Sequence, residues 1–274
     1  MTINCKGTLV DLSSPKVMGI LNITPDSFFD GGKYKNESEI LGQVEKMLFE
    51  GATFIDVGAY SSRPGAKHIS EKQELQRIVP VIELLIKKFP EIIISVDTFR
   101  SAIARETINA GAAIINDISG GKMDDNMFKT VANLRVPYIL MHMLGTPQNM
   151  QLNPVYKDVI QEIISFFAEQ IFKLHQLEIN DIIIDVGFGF GKTISHNYEI
   201  LKNLSLFKSL NAPILAGISR KSMLYKTLNI SAKEALNATT SANTIALLNG
   251  ANILRVHDVK EAMEAVKIVH QLSS

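Results

Sequence analysis

Polar side chains able to do chemistry recur in this chain at one kind of place, at or just beyond the end of a short apolar run. Asn22 follows one such run; Asp56 lies within the next, which leads to Ser61, Ser62 and Arg63; Asp97 and Thr98 end a third, and Asn116 and Asp117 a fourth. His142, Asp185, the set Ser219-Arg220-Lys221-Ser222, and the pair Arg255 and His257 end the remaining four. Carboxylates at 97 and 185 accept from N–H donors, the Asn116 amide does both, and the Lys221 ammonium donates, which suits a heterocycle with donors on one edge and a carbonyl on another. Asp97 and Asp185 equally suit helix N-caps or ion-pair partners. Lys221, at the start of a helical stretch whose free N–H groups favour an anion, equally suits a solvated basic turn. Arg63, Arg255 and His257 together suit a phosphate or pyrophosphate. No Ser-His-Asp arrangement and no covalent nucleophile is signalled, so the fitting chemistry is displacement of a good leaving group by a second substrate.

Two loops stand out. Residues 18–32, MGILNITPDSFFDGG, put two adjacent phenylalanines among turn residues. Either they pack as local core or they close over something. Residues 187–193, GFGFGKT, resemble a phosphate loop, but Val186 occupies the position of its first glycine. The expected alternative is a glycine-rich strand exit that lets a flat ligand approach the backbone.

The elements that must position these residues alternate regularly. Apolar, β-branched runs at 17–21, 53–57, 92–96, 113–116, 137–141, 182–186, 213–218 and 252–256 are separated by stretches with three- and four-residue apolar spacing, such as Ile160, Ile163, Ile164, Phe167, Ile171 and Leu174. Eight such units predict parallel βαβ connections and an α/β fold of the (β/α)8 TIM-barrel type, with a doubly wound sheet as the alternative. A barrel brings all eight polar strand ends to one mouth, whereas an open sheet spreads them along an edge. The first dozen residues predict a short hairpin capping the opposite end. No linker or repeat divides residues 1–274, so one domain is expected.

Lys and Arg total 28, as do Asp and Glu, so no broad basic surface calls for a nucleic-acid partner. The single cysteine, Cys5, excludes an intrachain disulfide, and His68, His175, His196 and His270 lack metal-ligand spacing and read as structural or surface groups. No leader and no membrane-length apolar stretch is seen, and a cytoplasmic protein is expected.

The blocks GILNITPDSFFDGG, SVDTF (95–99), INDISGG (115–121), MHM (141–143), DVGFGFGK (185–192), SRKSM (219–223) and RVHD (255–258) together resemble the dihydropteroate synthase family, the sulfonamide-inhibited enzymes of folate biosynthesis, from about Val17 to Val259. The resemblance implies a TIM barrel that condenses 6-hydroxymethyl-7,8-dihydropterin pyrophosphate with 4-aminobenzoate, uses Mg2+, and forms a homodimer. It implies a pterin held by Asp97, Asn116, Met141, Asp185, Lys221 and Arg255. Asn22, Arg63, Arg255 and His257 would handle pyrophosphate, with Asn22 on the metal. Ser62, Arg63, Pro64, Phe190, Lys221 and Ser222 would take 4-aminobenzoate. Asp97, Lys221, Asp30 and Phe28 would act in catalysis, with Phe28 and Phe29 as a lid and Asp30 facing the metal or a cationic intermediate.

Two positions depart from the family pattern. Residues 58–65, GAYSSRPG, place Tyr60 where an acid is common, which puts the local ion pairing in question, and Leu144 stands where an arginine commonly follows. The rival readings are a pterin-binding methyltransferase that serves a corrinoid, and a degenerate paralogue that binds pterin without turnover.

Overall fold

The computed structural model describes residues 1–23, 33–61, 68–150 and 152–272. Two antiparallel strands, β1 (Thr2–Cys5) and β2 (Thr8–Asp11), form a hairpin. Eight parallel strands follow: β3 (Lys16–Asn22), β4 (Phe54–Gly58), β5 (Ile94–Asp97), β6 (Ile114–Asp117), β7 (Tyr138–Met141), β8 (Ile182–Asp185), β9 (Ile214–Ala216) and β10 (Ile253–Val256). They pair in chain order, and β10 closes on β3, making the barrel that the alternation predicts. The open-sheet alternative is thereby excluded.

The connecting helices are α1 (Lys33–Phe49), α2 (Glu71–Lys88), α3 (Ser101–Asn109), α4 (Met127–Leu134), α5 (Val159–Gln176), α6 (Ile194–Lys202), α7 (Ser222–Thr227), α8 (Leu236–Leu248) and α9 (Val259–Gln271). Local sequence sets several of their starts. Ser70 and Gln73 form a capping box on α2, Asp158 accepts from the Ile160 and Gln161 N–H groups at the start of α5, and Thr193 with His196 caps α6. The apolar faces of these helices pack on the outward side chains of the strands, among them Val17, Ile55, Ile94, Tyr138 and Ile184, forming the main core.

Inside the barrel a separate apolar layer fills the end where the strands begin: Met18, Phe54, Ile114, Ile139, Ile183, Leu215 and Ile253. Ile3, Cys5, Val10 and Leu12 of the hairpin join that layer. The hairpin is pinned there by the Asn4 N–H on Asp181 Oδ2 at 2.9 Å and by Asn252 Nδ2 on the Leu12 carbonyl at 2.9 Å. It therefore caps the closed end, as expected.

Candidate active site

Side chains alternate along a strand, so the inward face is set by every second residue. Above the apolar layer the next inward residues are Asp56, Asp97, Asn116, Met141, Asp185 and Arg255, two residues on from Phe54, Ser95, Ile114, Ile139, Ile183 and Ile253. Asn22, Gly58, Asp97 and Asn116 are register partners across four adjacent strands, and Met141 pairs with Asp185. The mouth is thus one polar storey on an apolar floor. Small residues leave it space: a Cβ at Gly58 would lie 3.5 Å from Asn22 Oδ1, and one at Gly217 would lie 3.7 Å from Asp185 Oδ2.

Arg255 dips into this storey. Its Nε donates to Asp56 Oδ2 at 2.6 Å and its Nη2 to Asp97 Oδ2 at 2.9 Å, and Asn116 Nδ2 donates to the same Asp56 oxygen at 3.1 Å. Asp56 is fully buried. Burial pushes the Asp97 carboxyl up to about 7, against the lowering pull of Arg255. Burial works to lower the arginine, but Asp56 and Asp97 outweigh it and raise its pKa further.

On the other side, Asp185 Oδ1 accepts the Gly187 N–H at 2.8 Å. Burial raises its pKa, while Lys221, acting through space, works to lower it. Lys221 occupies the N-cap position of α7, yet its side chain makes no cap bond. Instead the ammonium donates to the Phe188 carbonyl and sits 4.6 Å from the centre of the Phe190 ring. Burial pushes it down to about 8, with Asp185 resisting. The solvated-turn reading of Lys221 is thereby set aside, and neither Asp97 nor Asp185 caps a helix.

Apolar side chains wall the mouth. Met141, Tyr60, Phe99, Ile118, Met143 and Met150 form one cluster, with Ile69 and Phe190 packed against it. Tyr60, the departure from the family pattern, is almost fully buried here. Its hydroxyl accepts from Gln148 Nε2 at 3.2 Å and lies 3.3 Å from His68 Nδ1. Arg100 rests its guanidinium 5.5 Å from the Tyr60 ring centre and pairs with Glu74 Oε2 at 2.5 Å. Glu74, also held by the Thr98 hydroxyl at 2.9 Å, supplies the local anion that position 60 lacks.

The glycine-rich turn differs from its expected role. A Cβ at Gly187 would collide with the His142 carbonyl oxygen, and one at Gly191 with that of Leu144, so the close approach is to the protein's own backbone. Lys192 turns inward, only 3% exposed, and donates to the carbonyls of His142, Gly187 and Phe190 at 3.2, 3.0 and 3.0 Å. His142 Nδ1 lies 3.1 Å from the same nitrogen, and burial with the lysine charge drops that imidazole to about 2. Held this way, Lys192 is turned away from any phosphate.

The rim completes the inventory. Ser219 Oγ lies 3.0 Å from His257 Nδ1, and Arg220 forks onto Asp258 at 2.8 and 2.9 Å. His257 is exposed just beyond the end of β10, two residues on from the half-buried Arg255. Ser222 is half-buried at the first position of α7. Phe28, Phe29, Asp30, Ser62, Arg63 and Pro64 lie outside the described residues. Among the described residues no group of three His, Cys, Asp or Glu side chains is placed to hold a metal. Asn22, at the end of β3, offers one amide oxygen, which fits an ion held mainly by substrate phosphates and water rather than a protein cage.

Spacing in the sequence does not single out Glu74 or Lys192 as site residues. For Asp56 a signal does exist, since Phe54, Asp56 and Gly58 alternate in phase with the inward face.

A family model described as "Pterin binding enzyme" matches residues 18–257. The dihydropteroate synthase of Escherichia coli (strain K12) is 45% identical over 271 residues, covering 98% of this chain and 95% of that protein. A crystal structure of the Yersinia pestis dihydropteroate synthase with a sulfonamide drug complex superposes with a TM-score of 0.93 at 43% identity, covering 100% and 99% of the two chains. The Xanthomonas albilineans enzyme in complex with 7,8-dihydropteroate superposes with a TM-score of 0.89 at 33% identity, again covering 100% and 99%.

Proposed function

Because the chain belongs to the pterin-binding enzyme family, we propose that it condenses 6-hydroxymethyl-7,8-dihydropterin pyrophosphate with 4-aminobenzoate, giving 7,8-dihydropteroate and pyrophosphate. The observation that carries this reading is the storey at the barrel mouth, where two carboxylates, an amide and an ammonium face one another between Met141 and Phe190. Asp97, Asn116 and Asp185 offer acceptors to the pterin N–H edge, and Lys221 donates to its carbonyl side. Asn116 adds a donor.

A dissociative displacement fits these groups. The exocyclic C–O bond breaks with its electron pair leaving on pyrophosphate, and the electron-rich dihydropterin spreads the positive charge on its methylene. The Asp97 carboxylate, in poorly solvated surroundings, stabilises that charge as it develops. The neutral arylamine nitrogen then forms the new C–N bond and releases a proton to water, so no general base of the protein is needed. Arg255 and His257 favour the departing anion, and Asn22 would hold Mg2+, which neutralises pyrophosphate when bound. The 4-aminobenzoate site would combine Phe190, Lys221 and Ser222 with Ser62, Arg63 and Pro64, and closure by Phe28 with Asp30 would exclude water; for the last five the support is the resemblance.

The reading carries with it a cytoplasmic homodimer. No helix among the described residues is long and apolar enough to cross a membrane. Ile245 and Leu248 stand exposed three residues apart on α8, where a second copy would cover them. A coupled assay of pyrophosphate release tests the function: release requires 4-aminobenzoate together with the pterin substrate, and a rate indifferent to 4-aminobenzoate would refute it.

A further inference from the structure

Arg255 and the pterin claim the same partner. Its Nη2 occupies Asp97 Oδ2 at 2.9 Å, the carboxylate that the proposed function gives to the pterin N–H edge. A pterin edge whose N–H groups fork onto both Asp97 oxygens must therefore displace the guanidinium from Oδ2. A buried guanidinium with no acceptor is costly, so its release needs a new partner close by.

Asp56 provides one. It is fully buried on the neighbouring strand, one inward residue before Gly58, the register partner of Asp97, and already holds Arg255 by Nε at 2.6 Å. All its bonds run through one oxygen: Asp56 Oδ2 takes both Arg255 and Asn116, while Oδ1 has no hydrogen-bond partner among the described residues. A carboxylate bound by Nε at one oxygen is poised to take a second guanidinium nitrogen at the other, forming the two-bond fork that suits arginine. The same Asp56 oxygen fixes the Asn116 amide, and Asn116 is itself the register partner of Asp97.

We propose that Asp56 is a positioning residue for this reaction: it is the pivot on which Arg255 turns, from a bridge between Asp56 and Asp97 in the free protein to a fork on both oxygens of Asp56 when a pterin takes Asp97. Asp56 does not touch the substrate. It sets where Arg255 goes, and it keeps a cation beside the site for the leaving anion while freeing Asp97 for the ring. The inference rests on the proposed function, because it needs a pterin as the displacing ligand.

The test is a double-mutant cycle with Asp56→Asn and Arg255→Gln, read by calorimetric binding of 6-hydroxymethylpterin and by steady-state kinetics, with thermal unfolding of every variant. In Asp56→Asn the arginine rests on Asp97 with no charged alternative, so pterin affinity falls about tenfold or more, the size of one charge-assisted hydrogen bond. KM for 4-aminobenzoate stays within about twofold in the same variant, because its pocket lies on the Lys221 side. In the Arg255→Gln background Asp56→Asn changes pterin affinity little, since the residue it acts through is gone. Additive losses in the two backgrounds, or unchanged pterin affinity in folded Asp56→Asn, would overturn the pivot. Should Arg255→Gln fail to fold, Arg255→Lys replaces it, since an ammonium cannot form the fork and gives the same non-additivity. Wild-type protein that binds no pterin and releases no pyrophosphate would instead refute the proposed function, which separates the two failures.

Discussion

Two lysines approach the barrel mouth from adjacent strand ends, Lys192 after β8 and Lys221 after β9, and they are built for opposite purposes. Lys192 spends its donors on three carbonyls of its own neighbourhood, with an imidazole nitrogen as a further neighbour. Lys221 has one carbonyl, one aromatic face and a through-space partner in Asp185. Burial lowers both pKa values, so burial alone does not tell structure from function. Partners do. A buried cation whose donors all end on protein is a staple, whereas one with donors to spare at an open storey is prepared for a ligand.

Exchange of each lysine for methionine separates the two roles. Lys221→Met removes a donor aimed at the substrate, and kcat/KM falls by about 10²–10³, the usual loss for one such group, while thermal unfolding changes little. Lys192→Met leaves carbonyls of the glycine turn unsatisfied and lowers stability by about 2–3 kcal/mol in urea unfolding, with a smaller loss of kcat/KM. Equal stability losses in the two variants would erase the distinction.

The pH profile sharpens it. Burial raises Asp97 to about 7 and lowers Lys221 to about 8 in the free protein. The carboxylate is needed charged, so kcat/KM for the pterin substrate falls as pH drops through about 7. The ammonium is also needed charged, so the same parameter falls as pH rises through about 8. Lys221→Arg keeps its charge at every accessible pH and should remove the alkaline limb while leaving the acid limb in place. An alkaline limb unmoved by that exchange would assign it to another group.

The smallest effect is expected at the wall. Tyr60→Phe removes the hydroxyl shared by Gln148 and His68, and stability falls by about 1 kcal/mol. The ring packing on Phe99 and Arg100 survives, so kcat/KM holds within about threefold.

Strand alternation makes Asp97, Asn116, Met141 and Asp185 legible in the sequence, because a parallel barrel turns period two directly into an inward storey. It serves equally for Asp56, although a position in the middle of an apolar run draws less notice than one at a strand end. Lys192 is not legible, since GFGFGK reads as a glycine-rich strand exit open to a flat ligand until the backbone at His142 and Leu144 is seen closing on it. Nor is the anion beside Arg100: Glu74 comes from α2, and nothing in local spacing links a helix residue to the loop after β5. The functions of residues 28, 30 and 62–64 rest on motif likeness, because they lie outside the described residues.

A crystal structure of the protein with 6-hydroxymethylpterin pyrophosphate tests the account most directly. It predicts the ring on the apolar floor, its N–H edge on Asp97 and Asp185, its carbonyl side toward Lys221, and Lys192 still bound to its three carbonyls. A ring seated away from Asp97 and Asp185, or a phosphate held by Lys192, would contradict it.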